Sequence, residues 1–232
     1  MTAKTSEAVD DYLKAILELS GPAAERVTSN ALAAHLDVRP ASVTGMLQKL
    51  AEQQPSFVKY EKHYGVRLTE LGKRRAREVQ RHHRLIERFL HDVLDFAWDE
   101  VHEEAERLEH YISERLEDRI AAKLGYPETD PHGHIIPEKD GEVAERKEIA
   151  LSQWPCDVPA VISSVSDRDS NALREMKRMG LVPGTGLIVK PGTRHATLLV
   201  RIGAQAPTRL SRELASEIKV VERRTLTGNA RA

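Results

Sequence analysis

The sequence predicts a mainly α chain in three parts: an N-terminal winged helix-turn-helix, a helical middle and a small C-terminal β-barrel. Three observations predict it. Apolar residues recur at helical spacing over most of the stretch from Val9 to about Leu124. A segment rich in Pro and Gly follows at residues 126–141. From about Leu151 to Val221, β-branched runs separated by Gly, Pro and Asn take over. The expected parts are residues 1–75, residues 76–142 with a Pro-rich linker from 126, and residues 143–232, which include a loose tail from Thr225.

In chain order, Val9, Leu13, Ile16 and Leu17 predict a first helix over residues 6–20, stopped by Gly21 and Pro22. Thr28 or Ser29 caps a short helix through His35. After a turn at residues 37–40, Pro40 suits the first position of a third helix through Val43, Leu47 and Leu50. Residues 57–69 alternate around Tyr64-Gly65, which predicts a hairpin. Helix is expected from Glu70 to about Leu124, with a break near residues 95–99. The segment YPETDPHGHIIPEKDG reads as an extended linker. In the last part, VPAVISSV, GLIVK and TLLVRI read as strands, with one helix over residues 171–179.

Charged residues make up 31% of the 232, yet the net charge is −1, which excludes a uniformly basic nucleic-acid binder but not a local basic patch. A single cysteine, Cys156, excludes a disulfide framework and a cysteine-rich zinc site. No apolar run is long enough to span a membrane. The polar stretch from Met1 to Asp11 does not read as a signal peptide, so a cytoplasmic location is expected.

Helix, short helix, turn, helix and hairpin is the order of a DNA-binding winged helix. Its second helix of the pair would enter the major groove. That puts Arg39, Pro40, Ala41, Ser42, Thr44 and Gly45 near base edges, with Gln48 and Lys49 a turn later near the backbone. Small side chains allow close approach, Thr and Ala methyls can touch a thymine methyl, and Arg39 can reach guanine or phosphate. The hairpin supplies Lys59, Lys62, His63 and Arg67 for phosphates, and residues 73–84 add further basic side chains. The competing reading is a helix pair with solvated charges.

The segment VHEEAERLEHYI, residues 101–112, carries the most specific chemistry. At about 100° per residue, His102, Glu106, Glu109 and His110 share an arc of roughly 120°. One helix cannot complete a six-coordinate shell, and Asp11 on the first helix is a further candidate. His83 and Glu87, also at i, i+4, could combine with His102. The competing reading is a solvated face of i, i+4 ion pairs, to which Glu103, Glu104, Glu114 and Glu117 belong. A zinc-hydrolase motif fails because Glu106 stands where the second His of H-E-x-x-H is needed. No nucleophile–base set or Gly-rich phosphate loop supports an enzyme. A winged-helix regulator of an organic ligand is the other alternative.

Four stretches together resemble the family of the diphtheria toxin repressor and the manganese transport regulators: DDYLKAI, RPASVTGMLQKL, RHHRLIERFL and VHEEAERLEH. DPHGHIIP in the linker is similar too. The resemblance implies a metal-dependent repressor of metal-uptake genes, a homodimer on a double-stranded palindromic operator, with a C-terminal barrel like the FeoA and Src-homology-3 folds. By position it implies a primary metal site at Asp11, Glu106, Glu109 and His110, and an ancillary site at His83, Glu87 and His102. Asp169 falls near a further ancillary position supplied by the barrel; the other falls on Ala172, which cannot ligate, and Asp167 is a neighbouring candidate. A turn reading of Asp169, as the cap of the helix that follows, competes with this. The iron branch has Met and Cys where this chain has Asp11 and Glu106, so the resemblance points to Mn²⁺, with Fe²⁺ the alternative. The short manganese regulators carry a glutamate at the position of Lys14 that helps bind a second ion. A charged lysine cannot do so, which leaves their close-spaced two-ion site open here.

Overall fold

In the computed structural model, residues 6–21, 25–194 and 196–223 are described. The expected stop at Pro22 and the tail from Thr225 lie outside them. No helix among the described residues is long and apolar enough to cross a membrane.

The first helix, α1 (Glu7–Ser20), carries Glu7 and Asp10 in its first turn, where carboxylates oppose the positive helix end. In α2 (Ser29–His35), the Thr28 hydroxyl accepts from the Ala31 amide at 3.1 Å. α3 (Pro40–Glu52) starts at Pro40, whose missing N–H costs nothing at a helix start. Leu13, Ile16, Leu32, Val43, Leu47, Leu50 and Val66 form a core at 0% exposure. Each such side chain contributes about 1.5–3 kcal/mol by leaving water.

β1 (Val58–Glu61) and β2 (Gly65–Leu68) form the antiparallel hairpin, from Val58↔Leu68 to Glu61↔Gly65. Val27 bridges Val66 on its outer side, through amide–carbonyl bonds of 2.8 and 2.9 Å. Gly65 is required by this approach: its φ is +99°, and a Cβ there would stand 2.5 Å from the Val27 carbonyl oxygen.

α4 (Glu70–Leu94) is a single helix of 25 residues, ended at Asp95 by a left-handed φ of 57°. α5 (Val101–Leu108) is shorter than the sequence spacing suggests. Glu109, His110 and Tyr111 form a turn closed by the Tyr111 amide on the Leu108 carbonyl at 3.0 Å. α6 (Glu114–Lys123) follows.

The expected extended linker is corrected. Its backbone is irregular, but Asp130, His132 and Ile136 are buried, and Thr129 bridges Ile135. Asp130 Oδ1 accepts from the amides of His132 and His134 at 2.8 and 3.0 Å, an Asx turn that satisfies the backbone without helix or sheet. The prolines here mark irregular backbone, not solvation.

The last part contains β3 (Ile149–Ala150), β4 (Pro159–Val165), α7 (Ser170–Met179), β5 (Gly186–Arg194), β6 (Thr197–Ile202), β7 (Thr208–Ser211), α8 (Arg212–Ser216) and β8 (Ile218–Glu222). The strands form one antiparallel sheet in the order β3-β8-β4-β5-β6-β7. Ile162, Leu173, Met176, Val189, Leu210 and Val220 fill its core, joined by Trp98 from the segment before α5.

The chain divides into two compact units. The first is Met1–His83, Arg107–Glu117 and Pro137–Val143; the second is Arg84–Glu106, Asp118–Ile136 and Ala144–Ala232.

Candidate metal centres and nucleic-acid face

In the first unit, Arg39, Pro40, Ala41, Ser42, Gly45, Gln48 and Lys49 are all exposed along α3, and Thr44 is half-buried. The Thr44 hydroxyl donates to the Pro40 carbonyl at 3.2 Å, so its methyl is the group left for outside contact. Lys59, Lys62, His63 and Arg67 are exposed on the hairpin, with His63 in a left-handed conformation in its turn (φ 72°). Around α3 the helix exposes small side chains and one arginine while burying Val43, Leu47 and Leu50.

The same unit brings Asp11, Glu109 and His110 together. Each offers one ligand atom, and these lie within 4.8 Å of one another. His110 Nε2 stands 3.0 Å from Asp11 Oδ1 and 3.4 Å from Glu109 Oε1. Burial alone would lower the His110 pKa, but Asp10, Asp11 and Glu109 together outweigh it and raise it to about 10. The cluster therefore favours positive charge at this point. Glu109 is completely buried, with Lys14 Nζ 2.7 Å from Oε1 and His83 Nδ1 2.6 Å from Oε2. Asp10, next to Asp11, takes a two-point grip from Arg75: Nε donates to Oδ1 at 2.8 Å and Nη2 to Oδ2 at 2.6 Å. That grip fixes the start of α1 against α4 and so orients Asp11.

The second unit holds another cluster. Glu87, His102 and Asp167 each offer a ligand atom within 4.8 Å of the others, as do Asp130, His132 and His134. His102 Nδ1 lies 3.3 Å from Glu87 Oε1 and 3.6 Å from Asp167 Oδ2. His134 Nδ1 lies 3.0 Å from Asp130 Oδ2 and 3.6 Å from Asp167 Oδ2. His132 supplies the test of whether a cation fits. Its Nε2 donates to the Trp98 carbonyl at 2.9 Å, which in the neutral ring leaves Nδ1 as a bare lone pair. Nδ1 is buried without a hydrogen-bond partner among the described residues, and Glu87 Oε2 stands 3.7 Å away. A lone pair facing a buried carboxylate needs a proton or a metal ion between them. Burial lowers the His132 pKa, yet Glu87, Asp130 and Asp167 override it and raise it to about 9. The site thus demands positive charge, and its oxygen and imidazole donors suit a divalent ion.

Comparisons with known proteins identify the family. Residues 4–66 match the family model "Iron dependent repressor, N-terminal DNA binding domain", and residues 69–138 match "Iron dependent repressor, metal binding and dimerisation domain". Residues 149–222 match the FeoA domain. The iron-dependent repressor IdeR of Mycobacterium leprae is 33% identical over 166 residues, covering 66% of this chain and 71% of its own length. The chain belongs to the iron-dependent repressor family, that of the diphtheria toxin repressor and MntR. The HTH-type regulator MntR of Oceanobacillus iheyensis is 33% identical over 146 residues, 60% of this chain and 96% of that one. A solved manganese-dependent transcriptional repressor in complex with manganese superposes with a TM-score of 0.85 at 36% identity, covering 92% of this chain and 99% of the other.

As a member of this family the chain is a metal-dependent, DNA-binding transcriptional repressor, with a dimerisation domain and a DNA-binding domain suited to a homodimer on operator DNA. Its members are transcriptional regulators. The repressor's barrel is the FeoA domain expected, with a six-stranded sheet.

Of the expected site residues, Asp11, Glu109 and His110 come together in the first unit, and Glu87 and His102 in the second. Glu106 lies on α5, with its Oε1 3.8 Å from His102 Nε2. His83 bonds Glu109, a residue of the other expected set. Asp169 is corrected: it is exposed, and its Oδ1 caps α7 by accepting from the Asn171 and Ala172 amides at 2.8 and 3.3 Å. Asp167 is the aspartate that approaches the histidines. Sequence reasoning missed Asp130, His132 and His134 as site residues. The signal was present in Asp130-Pro131-His132-Gly133-His134, three donors at alternate positions. Gly133 makes that arrangement possible: its φ is +88°, and a Cβ would stand 2.2 Å from the Ser163 carbonyl oxygen. The close approach lets the Val165 amide bond the His132 carbonyl at 3.0 Å.

Proposed function

We propose that this repressor responds to manganese and represses genes for metal-ion uptake when the metal is plentiful. The observation that carries the reading is the donor chemistry of the two clusters. Every group brought together is a carboxylate or an imidazole, and the single cysteine, Cys156, is exposed and stands apart from both sets in the sequence. The first set, with two carboxylates and one imidazole, is rich in hard oxygen donors, which suit Mn²⁺, whereas sulfur favours softer or later metals. Fe²⁺ is the nearest competitor.

Asp11, Glu109 and His110 are the proposed ligands of the sensing centre. Glu87, His102, His132, His134 and Asp167 are those of the second, with Asp130 orienting His134. When bound, the ion supplies the positive charge that lets these carboxylates be held together. Asp11 rides on α1, packed in the core that carries α3, while Glu109 and His110 follow α5. Holding them together biases the DNA-binding helices towards the arrangement in which two recognition helices of a dimer stand about one DNA turn apart, ~34 Å. The bias equals the difference in metal affinity between the two arrangements. Arg39, Pro40, Ala41, Ser42, Thr44 and Gly45 then face base edges, and Gln48, Lys49, Lys62 and His63 the backbone. Operator DNA places the repressor in the cytoplasm.

The test is a mobility-shift assay of the purified protein on its own promoter region, with Mn²⁺, Fe²⁺ or chelator at buffered free concentrations. Retardation at lower free Mn²⁺ than free Fe²⁺ is expected. Equal response to both metals would remove the manganese assignment, and retardation unaffected by chelator would remove metal dependence.

A further inference from the structure

We propose that His82 is a positioning residue of the sensing centre: its ring holds the Glu109 carbonyl and so fixes the turn from which Glu109 and His110 reach Asp11. The inference rests on the metal reading above and deepens it.

His82 lies in α4 and is buried, at 6% exposure. A ring so placed needs a partner for each nitrogen. Nδ1 faces the Glu109 carbonyl oxygen at 3.3 Å, and Nε2 faces Glu117 Oε2 at 3.1 Å. A carbonyl can only accept. Glu117 accepts too: burial raises its pKa, but the hydrogen bonds from His82 and Arg81 outweigh burial and lower it, so it stands as a carboxylate. The His82 ring therefore donates from both nitrogens. All of these residues belong to the first unit.

The place of Glu109 in the chain shows what the Nδ1 donor does. Glu109 is the first residue past α5, which ends at Leu108. In a continued helix its carbonyl would accept from the amide of Ser113, four residues on. Ser113 instead opens α6: its carbonyl accepts from the Glu117 amide at 2.9 Å, and its hydroxyl from the Leu116 amide at 3.3 Å. Glu109 is buried, and a carbonyl left over at a buried helix end is costly without a donor. His82 supplies one, and through Glu117 ties the break to the first turn of α6. The next residue, His83, takes the side chain of the same glutamate, with Nδ1 2.6 Å from Oε2. Two successive histidines of α4 thus grip Glu109, one at its backbone and one at its carboxylate. Fixing the carbonyl fixes the direction in which that carboxylate leaves the backbone, towards Asp11 and His110.

The experiment separates the two ends of the ring, in full chains that also carry Asp167→Ala to silence the second cluster. In His82→Asn the amide nitrogen takes the place of Nδ1 and keeps the bond to the Glu109 carbonyl. In His82→Gln it takes the place of Nε2 and keeps only the bond to Glu117. Bound Mn²⁺ is titrated by equilibrium dialysis, its electron paramagnetic resonance line shape is recorded, and melting temperatures are measured in chelator. His82→Asn should bind Mn²⁺ as the chain with His82 does. His82→Gln should bind it about 10–100-fold more weakly, the range for losing a group that orients a metal ligand, and with an altered line shape. A merely structural role would weaken both variants in step with their melting temperatures. Full affinity in His82→Gln would overturn the inference, as would equal weakening in the two. If His82→Gln does not fold, His82→Asn decides alone: unchanged affinity and line shape support the inference, and weakened binding overturns it. Absence of any bound ion in the chain that retains His82 would overturn the metal reading itself, and the inference with it.

Discussion

The two clusters draw on similar donors yet are assembled in different ways. In the first unit, Glu109 and His110 are adjacent in the chain, and Asp11 alone comes from far away. In the second, Glu87, His102, the Asp130–His134 turn and Asp167 arrive from four separate stretches. Exposure differs as well. The most open side chain of the first set, Asp11, is 39% exposed; in the second, His102 and His134 reach 25% and Asp167 17%, while Glu87, Asp130 and His132 are at 0%. A centre with one open carboxylate can exchange its ion as the supply changes. A more buried one would hold its ion as part of the fold. The comparison assigns sensing to the first cluster and holding to the second, and each assignment can be broken.

Asp11→Asn carries the largest expected effect. It should abolish most of the metal-dependent gain in operator affinity, about 5–150-fold for a typical coupling between two sites, while leaving the dimer intact. Operator binding titrated against free Mn²⁺ checks it. A variant with wild-type metal dependence would mean that Asp11 does not couple metal to DNA.

Asp167→Ala should act on stability more than on sensing. An ion that binds only the folded chain stabilises it by about 2.7 kcal/mol at a hundredfold excess over its Kd. The variant should therefore lose one bound ion per subunit and most of the Mn²⁺-induced rise in melting temperature. If it loses operator binding while keeping that rise, the two roles assigned here are reversed.

The difference between the clusters also explains what the sequence revealed. Periodicity locates α1, α2, α3 and α4, because each buries one stripe and ends at a recognisable cap or breaker. The same logic finds Glu106, Glu109 and His110, though α5 ends at Leu108 and the last two sit in a turn. It does not reach His132 and His134, whose positions depend on an Asx turn and on a backbone approach to β4 that no periodic pattern encodes. Their segment reads as a linker because Pro and Gly signal irregular backbone, and that signal says nothing of burial. Asp167 and Asp169 show the limit most closely: two residues apart, they face a cluster of candidate ligands and a helix end respectively, and spacing alone cannot choose between them.

Asp169→Ala sharpens that contrast. Losing the cap of α7 should cost about 0.5–2 kcal/mol of stability in the second unit, seen in denaturant unfolding, with metal stoichiometry unchanged. Loss of a bound ion in this variant, at unchanged Asp167, would return Asp169 to the ligand set.

The smallest expected effect concerns a glycine, and it separates residues that the fold explains from those that only a ligand explains. Gly133 has a reason inside the molecule, the Ser163 carbonyl against which any Cβ would collide. Gly45 has none. It lies in the interior of α3, it is exposed, and a Cβ added there meets nothing within 4 Å. A glycine inside a helix costs about 0.5–1 kcal/mol relative to alanine, so in the isolated protein this position is worse than it needs to be. The reason must lie with whatever faces α3, and a DNA backbone or base edge at close range would supply it. Gly45→Ala should raise the unfolding free energy of the first unit by about 0.5–1 kcal/mol while weakening metal-activated operator binding. Opposite signs in the two measurements are the signature of a residue kept small for its partner. If the variant is more stable and binds operator as well or better, α3 does not approach DNA at Gly45, and the close-contact residues must be sought towards Arg39.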